Sequence, residues 1–144
     1  MPRGNIHMTY YLCYGTPLMD RSIERQIEGL RLEGQGLLRG WRMDFSNNGK
    51  PNLKQDAGSQ VWGNLYLIEE SKLAELDKFE GGSQRVKVSA LFEWEPEEAY
   101  VCVYPAQGGA ADPEFVKALR EIYRQASLPQ AQIDQALGLA AAAK

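Results

Sequence analysis

Two pairs of strand-like runs follow one another in this chain with no helix between them, and that order narrows the fold more than any single motif. In the first pair, Leu38, Trp41, Met43 and Phe45 give a roughly alternating apolar pattern, and Gln60 to Ile68 is rich in β-formers. The stretch between them, Asn47 to Asn52, is dense in turn formers and reads as a loop. The second pair is Arg85 to Trp94 and Ala99 to Tyr104, joined by the acidic turn "EPEE". A glycine inside a strand marks a bulge or a close backbone approach, and Gly63 sits in the middle of Gln60 to Ile68.

Helical signals stand around these pairs. A first strand, Thr9 to Tyr14, runs into a Gly15-Thr16-Pro17 corner, after which Asp20 can cap a helix with Ile23, Ile27 and Leu30 on one face. Ser71 can cap a short helix, "SKLAELDKFE", that stops at Gly81-Gly82. Asp112 followed by Pro113 is a strong helix start, with an apolar stripe of Phe115, Leu119, Ile122 and Tyr123. A last short helix is expected from about Pro129 to Leu137, with "LAAAAK" as a frayed tail.

The order β-α-β-β-α-β-β-α-α is not the regular alternation of a doubly wound fold. It fits an α+β protein, a small mixed β-barrel of about five to six strands with flanking helices. With 144 residues and no internal repeat or dividing linker, one domain over 9–137 is expected, preceded by a leader or added residues over 1–8 and followed by a tail over 138–144.

Composition excludes several functions. A net charge of −3 and the lack of a basic run argue against a nucleic-acid partner. No apolar run approaches a membrane span, and "MPRGNIHM" lacks the apolar core of a signal peptide, so a cytoplasmic protein is expected. Cys13 and Cys102 lie in apolar strand-like runs and read as buried free thiols rather than a disulfide. The single histidine, His7, stands in the leader, which leaves Ser-His-Asp and Cys-His chemistry without a base and a zinc site with almost no ligands; no metal site is expected. Proton transfer would fall to carboxylates, Tyr, Lys or backbone groups.

Two places could carry such chemistry. Glu69, Glu70, Glu95, Glu97 and Glu98 flank turns and read as solvated charges. Glu80 differs, because Leu73, Leu76 and Phe79 would hold its helix against the core and Gly81-Gly82 would turn the chain inward. It is either a solvated last-turn residue or a carboxyl at a cleft mouth that moves protons near neutrality. The Tyr14-Gly15-Thr16-Pro17 corner is either plain punctuation or an anion cradle of backbone N–H groups.

Taken together, "YYLCYGTPL", "GLLRGWRMDFSN" with "GSQVWGNLYLI", and "SKLAELDKFEGG" resemble the γ-glutamylcyclotransferase-like family. The first is similar to the family's opening strand and Tyr-Gly-Ser-Asn-Leu loop. The second keeps the Val-Trp-Gly tripeptide at Val61, Trp62 and Gly63, and the third keeps the Asp-x-x-Glu-Gly signature at Asp77, Glu80 and Gly81. The closing helices are similar too, so the resemblance spans Thr9 to about Leu137.

This resemblance implies a mixed barrel with helices, no cofactor, and release of 5-oxoproline from a small-molecule γ-glutamyl substrate. It implies Glu80 as the catalytic acid/base and Tyr14, Gly15, Thr16, Pro17 and Leu18 as the substrate loop, with Tyr104 lining the cleft. Two departures stand against it: Pro17 removes a backbone N–H where the family has Asn, and Gln84 stands where a Tyr often precedes Arg85. They keep open a non-catalytic barrel that binds a small carboxylate or amino acid. The sequence specifies neither the leaving amine nor an oligomeric state.

Overall fold

In the computed structural model, which describes residues 7–14, 27, 29–46, 51–79, 84–104 and 111–142, five strands close into a barrel. They are β1 (Met8–Cys13), β2 (Arg31–Phe45), β3 (Pro51–Glu69), β4 (Gln84–Phe92) and β5 (Glu95–Val103), arranged in the order β1-β3-β2-β4-β5. Every pairing is antiparallel except the one that closes the ring, where β1 runs parallel to β5 with Tyr10 beside Ala99 and Tyr11 beside Tyr100. The mixed barrel read from the strand order is therefore the fold.

The barrel is built around its two long strands. β2 and β3 pair from Arg31↔Leu67 to Phe45↔Pro51, with irregularities at Leu32/Gly34 and Arg39/Trp41. At the second of these, Gly40 takes a φ of +85°, a conformation that favours a residue without a Cβ. Both strands exceed their sequence expectations: β2 begins at Arg31, and β3 takes in Pro51 and Asn52 from the expected loop. Proline is tolerated there because it is the first residue of the strand.

The Gly63 expectation resolves to close approach. A Cβ at Gly63 would stand 2.5 Å from the Cys13 carbonyl oxygen, so only glycine lets β1 come this near to β3. Tyr11, Leu12, Phe45, Leu53, Leu65, Tyr66, Ile68 and Val101 fill the core. Cys13 and Cys102 are buried thiols that are not joined in a disulfide.

The second hairpin turns earlier than the acidic stretch suggested. Its tip is Glu93-Trp94, and Glu95 to Glu98 belong to β5, paired with β4 from Phe92↔Glu95 onward. After β3, the chain makes a 3-10 turn over Glu70–Lys72 and then α1 (Leu73–Phe79). Ser71 lies within that turn rather than capping it, and Glu69 stands at the cap position without a side-chain capping bond, its carboxylate accepting instead from the Ser71 hydroxyl at 3.4 Å.

Two further helices follow the barrel. α2 (Pro113–Ala126) starts as expected, with the Asp112 side chain accepting from the Glu114 N–H at 3.0 Å. Its buried face is Val116, Leu119 and Tyr123; Phe115 is only half-buried, one residue off the expected stripe. α3 (Ala131–Ala142) begins after Pro129 and continues through much of the Ala-rich tail, in keeping with the helix propensity of alanine. The helix expected from Asp20 and the Gly81-Gly82 stop lie outside the described residues, although Ile27 and Leu30 are described and buried.

Candidate active site

Because β1 and β5 are parallel neighbours, their C-terminal ends emerge side by side, which brings Tyr14 and Tyr104 to one end of the barrel. The Tyr14 side chain is buried and its hydroxyl donates to the Cys102 carbonyl at 2.5 Å, tying the end of β1 to β5. The nearby Tyr11 hydroxyl lies 2.6 Å from Cys102 Sγ.

The backbone at Tyr14 is fixed from the other side by the helices. The Tyr123 hydroxyl, fully buried, donates to the Tyr14 carbonyl at 2.6 Å and accepts from Gln132 Nε2 at 2.8 Å. Gln132 Nε2 also donates to the Trp62 carbonyl at 2.8 Å, while its Oε1 accepts from the Trp62 N–H at 2.9 Å. One amide thus reads both backbone groups of a β3 residue and still holds a tyrosine hydroxyl, using all of its strong donors and acceptors but one lone pair. Burial pushes the Tyr123 hydroxyl far above the usual tyrosine range, so it stays a neutral donor to Tyr14.

α2 and α3 are locked in the arrangement that makes this possible. Ser127 closes α2 in a left-handed conformation, its N–H returning to the carbonyls of Arg124 and Tyr123. Gln35 Nε2 of β2 donates to the Ala126 carbonyl at 2.7 Å, and Arg120 of α2 reaches Asp134 of α3 at 2.6 Å.

Tyr104 is held in the same manner. Asn52, fully buried at the start of β3, donates to the Tyr104 carbonyl at 3.0 Å and accepts from its N–H at 2.8 Å. Beside it, β4 opens with Gln84 opposite Val103, and Arg85 pairs with Asp77 of α1 at 2.9 Å. Both partners are partly exposed, so this pair contributes at most about 1 kcal/mol and matters chiefly as geometry. The Arg85 guanidinium also stands 5.2 Å from the centre of the Tyr100 ring.

Of the residues expected at the site, Tyr14 and Tyr104 are thus brought together, whereas Gly15, Thr16, Pro17, Leu18 and Glu80 lie outside the described residues. Asn52, Tyr123 and Gln132 were not expected there. In the sequence Tyr123 is one residue of an apolar stripe, and the hint it carries is that a buried tyrosine hydroxyl needs a partner. Among the described residues no group of three His, Cys, Asp or Glu side chains is placed to hold a metal ion, and no helix is long and apolar enough to cross a membrane.

The closed mixed barrel with flanking helices, its β1 and β5 ends held by Tyr14, Tyr123 and Asn52, can now be set beside known proteins. Residues 11–123 match the family model described as "Gamma-glutamyl cyclotransferase, AIG2-like". The chain belongs to the AIG2-like γ-glutamyl cyclotransferase family.

Solved structures share the fold. One described as a γ-glutamyl cyclotransferase is similar at 20% identity and a TM-score of 0.75, over 89% of this chain and 86% of its own. An uncharacterized human protein is similar at 21% identity and a TM-score of 0.74, over 88% and 85%. A yeast γ-glutamyl cyclotransferase specific to glutathione is similar at 11% identity and a TM-score of 0.52, over 95% and 97%. No curated protein sequence matches the chain.

Proposed function

We propose that this protein is a cofactor-independent cytoplasmic enzyme that releases 5-oxoproline from a γ-glutamyl amine or peptide, with Glu80 as general acid/base. The observation that supports the reading most is the shared end of β1 and β5, where buried side chains fix the backbone at Tyr14 and Tyr104. In a family of cyclotransferases, that rigidity is what an intramolecular reaction requires.

The chemistry needs no protein nucleophile. The substrate's α-amino nitrogen attacks its own γ-carbonyl carbon, forming the C–N bond of a five-membered lactam. The proton lost from that nitrogen passes to the Glu80 carboxylate, which delivers it to the departing amine as the original amide bond breaks. No water is consumed, and the products are 5-oxoproline and a free amine. Holding the γ-glutamyl chain folded supplies much of the barrier reduction, since well-oriented intramolecular reactions reach effective molarities of about 10⁵ M or more.

Residues 14 to 18 would receive the substrate, with N–H groups of Gly15 and Thr16 anchoring the α-carboxylate or polarising the carbonyl. Tyr104 would line the cleft. The Asp77–Arg85 pair spans the segment that contains Glu80, joining the helix before it to the strand after it.

The second reading, a barrel that binds a small carboxylate without turnover, is favoured by Pro17 and by Gln84. One experiment separates the two. Release of 5-oxoproline is measured for a panel of γ-glutamyl amines and dipeptides, with Glu80→Gln beside the wild type. Turnover abolished in a folded Glu80→Gln supports the enzyme and the role of Glu80. Turnover that survives the substitution removes Glu80 from the mechanism, and a wild type inert on the whole panel favours the binding barrel.

A further inference from the structure

A groove at the β4–β5 hairpin lies away from the shared end of β1 and β5 that carries Tyr14 and Tyr104. The nine residues of β5, about 30 Å of extended chain, separate the hairpin tip from Tyr104. β2 and β4 are joined by a single register pair, Leu37↔Leu91. Beside that pair, between β2 and the hairpin, lies a groove of about 450 Å³. Its walls include Leu37, Trp62, Leu91, Phe92 and Trp94, together with the carboxylates of Glu33 and Glu93. The Phe92 ring lies over Gly34, where a Cβ would come within 3.0 Å of it.

Three properties mark this groove. Trp94 is 70% exposed, the more open of the two exposed large apolar side chains among the described residues. Three aromatic side chains surround a space of the size that takes a small ligand. The charge nearby is negative: Tyr10, which stacks obliquely on Phe92 with ring centres 6.0 Å apart, has its hydroxyl pKa raised first by burial and then by Glu97, Glu33 and Glu93. Against these carboxylates stands Arg31, which is bonded to Glu33 at 2.7 Å and lies mostly in water. Glu33 is paired with Arg31, but Glu33, Glu93 and Glu97 together outnumber that one cation, and aromatic faces beside such an excess of negative charge favour a cation over a neutral or anionic guest.

We propose that this groove binds a small organic cation bearing an ammonium or guanidinium group, its charge set between the aromatic faces of Trp94 and Phe92 and the carboxylates of Glu33 and Glu93. The apolar part of the molecule rests on Leu37 and Leu91. This site is independent of the reading given to Glu80.

The test is a titration of ¹⁵N-labelled protein with choline and agmatine, following the indole N–H signals of Trp62 and Trp94. The uncharged carbon isostere of choline, 3,3-dimethylbutan-1-ol, serves as the comparison. Saturable shifts with either cation, and none with the isostere, are expected. Trp94→Ala, read at Trp62, weakens binding about fivefold, and Glu93→Gln weakens it in the same direction. Trp94 is exposed and Glu93→Gln preserves shape, so at least one variant reports on a folded protein. Absence of saturation with both cations overturns the proposal, as does equal binding of the isostere or affinity unchanged in both variants. Saturation by an arginine-rich peptide without response to either small cation overturns it in favour of a protein partner.

Discussion

At the position of Gly63 a single hydrogen atom decides how closely two strands can approach. Gly63→Ala would place a methyl group 2.5 Å from a backbone oxygen that cannot swing aside, so β1 must shift. Destabilisation of about 1–3 kcal/mol is expected in urea unfolding. Tyr123→Phe keeps the packing but leaves the Tyr14 carbonyl and a Gln132 N–H without their partner, a loss of about 1–3 kcal/mol in the same assay. Its pH dependence has a definite sign. The folded hydroxyl has a raised pKa, so its contribution is complete below the unfolded value near 10 and declines as pH rises from there towards the folded value. Melting temperatures between pH 8 and 11 should therefore fall less steeply in Tyr123→Phe than in wild type. Sequence alone flagged Gly63 and placed Tyr123 on a buried face, but Gln132 and Asn52 were silent. An amide on an amphipathic helix or beside a loop reads as solvent-facing until the tertiary structure shows what it touches.

Elements were legible where local chemistry and tertiary demand agree, as with Asp112-Pro113 at the start of α2, and less so where they conflict. The "EPEE" stretch has turn-like composition, yet it is strand. Proline is allowed at Pro96 because β1 pairs with β5 only at Ala99 and Tyr100, which leaves Pro96 paired to β4 alone. The turn itself uses Glu93 and Trp94 at φ +51° and +66°, where a two-residue hairpin favours Asn-Gly. Replacing the pair, Glu93→Asn with Trp94→Gly, should raise stability by about 1–2 kcal/mol, read as a higher denaturation midpoint with unchanged slope. A gain of that kind in a variant lacking the exposed indole would mean that the natural turn is kept for something other than folding. The Asp77–Arg85 pair offers a contrast: a double-mutant cycle of Asp77→Asn and Arg85→Gln should give a coupling below about 1 kcal/mol in stability. The same cycle measured on 5-oxoproline release should give a larger coupling if the pair orients the segment between α1 and β4.

Across the whole molecule, the barrel was readable from strand order because two hairpins and a lone first strand have few ways to share one sheet. The partner of β1 was not readable, since parallel pairing between distant strands leaves no local mark. The seams of the closed barrel are also unequal: β2 and β3 pair over their length, whereas β2 and β4 meet at one register pair. Amide exchange should therefore be slowest in β2 and β3 and measurably faster at Leu91 and Phe92, as expected where few ladder bonds must open. The parallel seam has a different consequence, which concerns the order of events during synthesis. Tyr11 finds Tyr100 only after most of the chain has left the ribosome, and until then β1 has one edge without a neighbour. Low-order contacts can form early, but closure waits for β5. A truncation before residue 95 would leave this half-built ribbon permanently open, with its free edge available to any other nascent strand.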